Sequence, residues 1–247
     1  MTDAADASPL FPGGTSVTHL TVYDWPGPDG LVGGSAHVHL ACTEGYVVLG
    51  GAGRVQTLSL DGFAETPLTP MTVVWFSPGV VHRLVNDGGL QILAVMQNGG
   101  LPEAGDSVLT FPPPYLSGPQ AYQQAASLGD GGPEAAAASA QRRQLLAVQG
   151  FLLLRQEVNQ RGAAALEEFY AAAAALVRER VRAWDPIWRQ GPLAAALRTG
   201  EQLEALAAGQ FEHLRQGRLS VLSPPDGRSL GMCGRLAAYP SRARGPA

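Results

Sequence analysis

A chain of 247 residues with 45% hydrophobic and 15% charged residues can bury a sizeable core in one or two domains and carries no compositional signature of disorder. Its 17 basic residues are all arginine and its formal charge is -4, which excludes Schiff-base and P-loop lysine chemistry and leaves no electrostatic case for nucleic acid. Two cysteines, Cys42 and Cys233, are too few for a disulfide framework and agree with a reducing cytoplasm.

Residues 1–14 lack the basic region and apolar core of a signal peptide and are expected to form a flexible arm. No apolar run approaches the roughly 20 residues of a membrane span, so a cytoplasmic protein without a membrane partner is expected. Residues 15–23 read as a first strand rich in β-branched side chains, with His19 as a packing or surface residue. In the loop that follows, Trp25 either caps the mouth of the β structure or packs on its outside.

The stretch Gly34–Asn86 carries the chemistry. His37 and His39 are two residues apart, and side chains at i and i+2 of a strand share a face. Glu44 opens the next strand, with Tyr46 on the same face as a candidate hydrogen-bond donor to bound substrate. Gly50-Gly51-Ala52-Gly53 lacks the strand-to-helix context of a nucleotide loop and is expected to be a hairpin turn. Arg54 and Gln56 share a face of the following strand and are further candidates to reach the site. Residues 72–76 form a strand into Pro78-Gly79, and His82 begins another, which Asp87-Gly88-Gly89 is expected to end. Three imidazoles and one carboxylate, from His37, His39, Glu44 and His82, suit one divalent transition-metal ion: Fe, Mn, Ni, Zn or Cu.

The spacing of His37, His39, Glu44 and Gly51 resembles the first motif of the cupin superfamily, and that of Gly79, His82 and Asn86 resembles the second. The resemblance covers residues 15–112 and all four usual ligand positions. It departs at turn positions, where Leu31, Met71 and Ser77 stand in place of glycine or proline. It implies a mainly β jelly-roll barrel with the four side chains pointing inward, and Val, Leu, Trp75 and Phe76 as lining.

After a linker at 113–133, Ala-rich segments with helical spacing fill 134–217. Gly162 separates two long helices, and Pro186 bounds the second. Residues 218–247 are expected to form a β-hairpin, turning at Pro224–Gly227, and a tail. Residues 1–118 hold two arginines against ten acids, and 119–247 fifteen against eleven, a contrast suited to docking of two parts or two subunits. A homodimer is expected by resemblance. The same resemblance puts a metal-dependent dioxygenase of a small chelating molecule first. A sugar or sugar-phosphate isomerase or epimerase, and a non-enzymatic binding or sensing module, are the alternatives.

Overall fold

The computed structural model describes residues 10–241. Two 16-residue strands organise them, β3 (Glu44–Ser59) and β6 (Val81–Met96). They pair antiparallel from Glu44↔Met96 to Leu58↔Val81 and bend midway, where the register shifts between Val48 and Gly53. The expected hairpin turn at Gly50–Gly53 is this bend, and Gly88-Gly89 lies opposite it inside β6 rather than at a strand end. The cause is close approach. Gly51 sits at φ +75°, and a Cβ there would fall 2.2 Å from the Gly89 carbonyl oxygen. Glycine lets two paired strands fold over together instead of reversing one chain.

The bend splits the sheet into two halves. In the first, β5 (Val73–Phe76) flanks the start of β3, and β1 (Ser16–Val22) flanks the end of β6. The terminal strands β8 (Ser229–Leu230) and β9 (Gly234–Ala238) extend that half through β1. In the second, β4 (Gly62–Leu68) flanks the end of β3. β2 (His37–His39) joins β6 at His82, and β7 (Ser107–Leu109) joins β2. The order β4-β3-β6-β1-β9-β8 stays open, so hydrogen bonding does not close a barrel. The jelly-roll expectation holds at a coarser level: a many-stranded antiparallel sheet with helices later in the chain.

Strand alternation sorts the side chains between two cores. Tyr46, Val48, Val55, Leu84 and Ile92 join Leu20, Phe76 and Cys233 in one buried cluster. Val38, Leu58, Val81 and Val108 alternate to the other side and join Phe151, Leu166, Phe169 and Trp184 from the helices. The helical half therefore shares a core with the sheet. Trp75, expected in the interior, is 72% exposed, because it alternates with the buried Phe76. Trp25 stacks on Tyr23 with ring centroids 3.9 Å apart.

The helices are α1 (Pro119–Ala126), α2 (Gly132–Arg161), α3 (Ala163–Val177), α4 (Val181–Trp188) and α5 (Ala194–Ala207). The expected linker at 113–133 thus contains a 3₁₀ turn and α1, and the second long helix breaks before α4, which carries Pro186 inside it. The terminal hairpin turns between Leu230 and Gly234, not at Pro224–Gly227, since Gly231 N–H closes it on the Gly234 carbonyl. Residues 10–14 are tied down: Phe11 N–H donates to Ser241 O, and Gly99 N–H to Gly14 O. The rest of the expected arm and tail lies outside the described residues. Two helical side chains hold loops next to the histidines. Tyr170 donates to Gly79 O at 2.5 Å, and Trp184 Nε1 to Ala104 O at 3.2 Å. No described helix is long and apolar enough to cross a membrane.

Candidate metal centre

His37 and His39 alternate around the outward Val38, so both imidazoles face inward from β2. His82 stands directly across from His37 in the β2–β6 pair. Its approach is set by the Ser77-Pro78-Gly79 turn, where Gly79 takes φ +92° and its N–H donates to His39 O at 3.0 Å. Glu44 comes from the other half of the folded sheet, at the start of β3. The bend in β3 and β6 brings the two halves face to face.

All four side chains are buried, and one possible ligand atom from each lies within 4.8 Å of the others. His82 Nε2 is 3.1 Å from His37 Nε2 and 3.1 Å from Glu44 Oε2, and His39 Nε2 is 3.3 Å from Glu44 Oε2. Ligands bound at about 2.0–2.2 Å to one ion sit about 3 Å apart along the edges of its coordination polyhedron. The opposite face of each ring is committed. Nδ1 of His37 donates to Ser35 O at 3.2 Å, Nδ1 of His82 to Val80 O at 3.0 Å, and Nδ1 of His39 to Asp106 Oδ2 at 2.9 Å. In a neutral ring this fixes the proton on Nδ1 and bares Nε2. Two bare lone pairs 3.1 Å apart repel, and a cation between them removes the repulsion. The donor set therefore fits a divalent ion.

The electrostatics of the metal-free cluster favour ligation at His37 and Glu44, whereas at His39 an ion must displace the Nε2 proton shared with Glu44. Burial and the neighbouring His82 and His39 hold His37 well below the usual imidazole range. Burial alone would lower His39, but the hydrogen bonds to Asp106 and Glu44 outweigh it and lift the ring to about 9. Burial would raise Glu44, yet its bonds from His39 and His82 hold it well below the carboxylate range, ready to ligate.

Asp106 is the site residue that sequence reading missed. It is fully buried, and its second oxygen accepts the N–H groups of Leu40 (3.2 Å) and Ala41 (2.7 Å). It orients His39 and anchors the turn after β2. Its sequence signal is weak: one acid in a Pro/Gly-rich stretch just before an apolar strand. Asp106→Asn is expected to weaken metal binding about 10–100-fold, the usual cost of losing such a partner. Competition with a coloured chelator measures it, and an unchanged affinity would deny Asp106 the orienting role.

The other candidates divide. Tyr46 does face the cluster: its ring is buried against Phe76 and lies 6.4 Å from the His82 ring, and its hydroxyl has no hydrogen-bond partner. Burial and nearby Glu44 push that phenol well above its ordinary range, so it stays a donor. Arg54 and Gln56 do share a face, but it is the opposite one. Gln56 stands across from Arg83, whereas Thr57 stands across from His82. Both hold Glu65, and Arg54 also pairs with Asp87 at 2.6 Å. Neither reaches the metal cluster, because the bend resets which residues of β3 point inward. His19 bonds Gln91 at an exposed position.

A cavity of about 370 Å³ opens on the cluster. His37, His39 and Glu44 line it, with Leu20, Met96 and Leu236 as apolar wall. Three contributors lie far away in sequence: Glu103, Arg143 from α2, and the Gly231–Cys233 turn. The volume is in the lower part of the range for small-molecule sites.

No protein-family model matches the chain, and no curated protein does. Among solved structures, the chain is similar to Pac13, a nucleoside dehydratase from Streptomyces, at 12% identity over 42% of this chain and 71% of that one, with a TM-score of 0.30. It is similar to the capsular polysaccharide assembling protein CapF of Staphylococcus aureus, at 20% identity over 41% of this chain and 29% of that one, with a TM-score of 0.31. The third is the TDP-quinovose 3,4-ketoisomerase WlaRB of Campylobacter jejuni, at 11% identity over 32% of this chain and 60% of that one, with a TM-score of 0.27. The chain spans less than a third of the length of CapF. Likeness at this level concerns part of the chain and says nothing of its substrate.

Proposed function

We propose that the chain is a cupin-type, metal-dependent enzyme acting on a small molecule held in the 370 Å³ cavity beside His37, His39, Glu44 and His82. The observation that carries this reading is the convergence of three Nε2 atoms and one carboxylate oxygen, each imidazole locked from behind by an acceptor on its Nδ1. When bound, a divalent ion supplies Lewis acidity toward an oxygen of the substrate. The protein's share is to fix the donors, shape the cavity and move protons.

Dioxygenase chemistry needs open ligand positions and little else from the protein. The cavity holds more than that, and this favours isomerase or epimerase chemistry. Glu103 lies at its exposed rim, with Oε2 accepting the Gly100 N–H at 3.0 Å. Such a carboxylate can take the proton from a carbon next to a carbonyl. The C–H bond of the hydroxyl-bearing carbon breaks and its electron pair forms the C=C bond of an enediolate. The acid form of Glu103 then protonates the former carbonyl carbon, while the hydroxyl proton passes to that carbon's oxygen and the old hydroxyl becomes the new carbonyl. Tyr46 stays protonated beside Glu44 as a free donor.

The test is proton exchange in deuterium oxide, with metal-loaded protein and a panel of small hydroxy-carbonyl compounds, followed by NMR. Deuterium should enter next to the carbonyl, and Glu103→Gln should slow it by about 10²–10⁴. Oxygen uptake without exchange would instead establish the dioxygenase reading. Metal binding without either reaction would leave a binding or sensing module.

A further inference from the structure

Arg143 is the one arginine lining the metal-side cavity, and it comes from α2, outside the sheet. The residue is 8% exposed. Nη1 donates to Ala126 O at 3.3 Å and Nη2 to Gly231 O at 2.6 Å, while Nε is buried without a partner. No carboxylate lies within ion-pairing distance of it among the described residues. This sets it apart from the other large buried cation, Arg83, which is fork-bonded to Asp29 at 2.7 and 3.2 Å.

A guanidinium does not deprotonate in a protein, so Arg143 keeps its charge despite the burial that pulls its pKa down. A buried, unpaired charge is costly, and folded proteins neutralise such groups or use them. Carbonyl oxygens and the neighbouring Tyr23 hydroxyl offset part of the cost but supply no negative charge. The nearby acids are otherwise engaged. Glu44 belongs to the metal cluster, Asp106 holds His39, and Glu103 is exposed and accepts a backbone N–H. With a divalent ion offset by Glu44 and Asp106, Arg143 remains the uncompensated charge.

Its position relative to the cluster is also defined. The Cys233 thiol is 3.8 Å from His37 Nδ1. Arg143, Cys233 and the ligands His37, His39 and Glu44 line this one cavity. We infer that the cavity selects an anionic small molecule, one end chelating at the metal cluster and the other carrying a carboxylate or phosphate oxygen bound by Arg143. This rests on the metal-enzyme reading above and adds to it the charge class of the ligand.

Three hydroxamates test the inference on the metal-loaded full chain: acetohydroxamate, malonomonohydroxamate and phosphonoacetohydroxamate. All chelate through the same group, and only the latter two carry an anionic tail. Calorimetric titration should show at least one anionic probe binding about 10–100-fold tighter than acetohydroxamate, as a charge-assisted pair provides. Whichever tail wins separates carboxylate from phosphate. Arg143→Gln should erase that advantage while leaving the acetohydroxamate Kd within about twofold, and Arg143→Lys should keep part of it. No advantage in the wild type, or an advantage that survives Arg143→Gln, overturns the inference.

If Arg143→Gln fails to fold, the Lys variant and the wild-type tail comparison decide. If the protein takes up no metal, the function reading falls. Arg143 is then judged by whether malonate or inorganic phosphate raises the Tm of the metal-free wild type more than that of the Lys variant. No such difference sinks the inference as well.

Discussion

Replacing His82 with alanine is expected to lower metal affinity by more than roughly 100-fold, beyond the 10–100-fold typical of losing an outer hydrogen bond. Purified His82→Ala protein should then hold less than about a tenth of an ion per chain where the wild type holds about one, as plasma mass spectrometry will show. The size of the effect follows from the geometry. His82 Nε2 is the atom closest to two others, 3.1 Å from both His37 Nε2 and Glu44 Oε2. It is also fully buried, so its removal opens a void that no exposed side chain fills. His82→Gln separates loss of a ligand from loss of packing. It should also lose the metal while its Tm stays closer to the wild type. Retention of metal by His82→Ala at wild-type affinity would move the binding site elsewhere.

The second large effect concerns the helices. Phe151 on α2 is fully buried, contacts Phe63 at 6.4 Å between ring centroids, and belongs to the cluster that joins Val38, Leu58 and Val81 to Leu166 and Trp184. Truncation to alanine removes its apolar burial and leaves a cavity, which costs about 3–5 kcal/mol. For a chain of this length that lowers Tm by about 6–20 °C. Because sheet and helices share this core, Phe151→Ala should shift one cooperative transition seen equally by far-ultraviolet circular dichroism and by tryptophan fluorescence. Two transitions, with only the helical one moved, would show that the helical half folds by itself. The shared core also bears on the site, since Tyr170 and Trp184 hold the Gly79 and Ala104 carbonyls close to His82 and Asp106.

Much of the site was legible in the chain because its logic is local. The two-residue spacing of His37 and His39 forces both rings to one side of a strand, whatever that strand pairs with. Glu44 and Tyr46 follow the same rule. What the sequence hid was long-range. Arg54 and Gln56 sit on β3 with the right alternation among themselves, but the bulged bend at Val48–Gly53 changes the face they present relative to Glu44. Glycine pairs look alike whether they reverse a chain or let two paired strands bend together. Asp106 lies 67 residues from His39, and Arg143 is one of two adjacent arginines on an Ala-rich helix. Neither carries a periodic signal. The terminal strand β9 joins β1 across more than 200 residues, and only that closure brings Met232 and Cys233 to the cavity.

The central claim is that His37, His39, Glu44 and His82 together hold one metal ion. X-ray absorption at the metal edge of the reconstituted wild-type protein tests it most directly. The expected spectrum has nitrogen and oxygen neighbours at about 2.0–2.2 Å and the outer-shell scattering of about three imidazoles. A sulfur neighbour, scattering from one imidazole or none, or no tightly bound metal at all would contradict it.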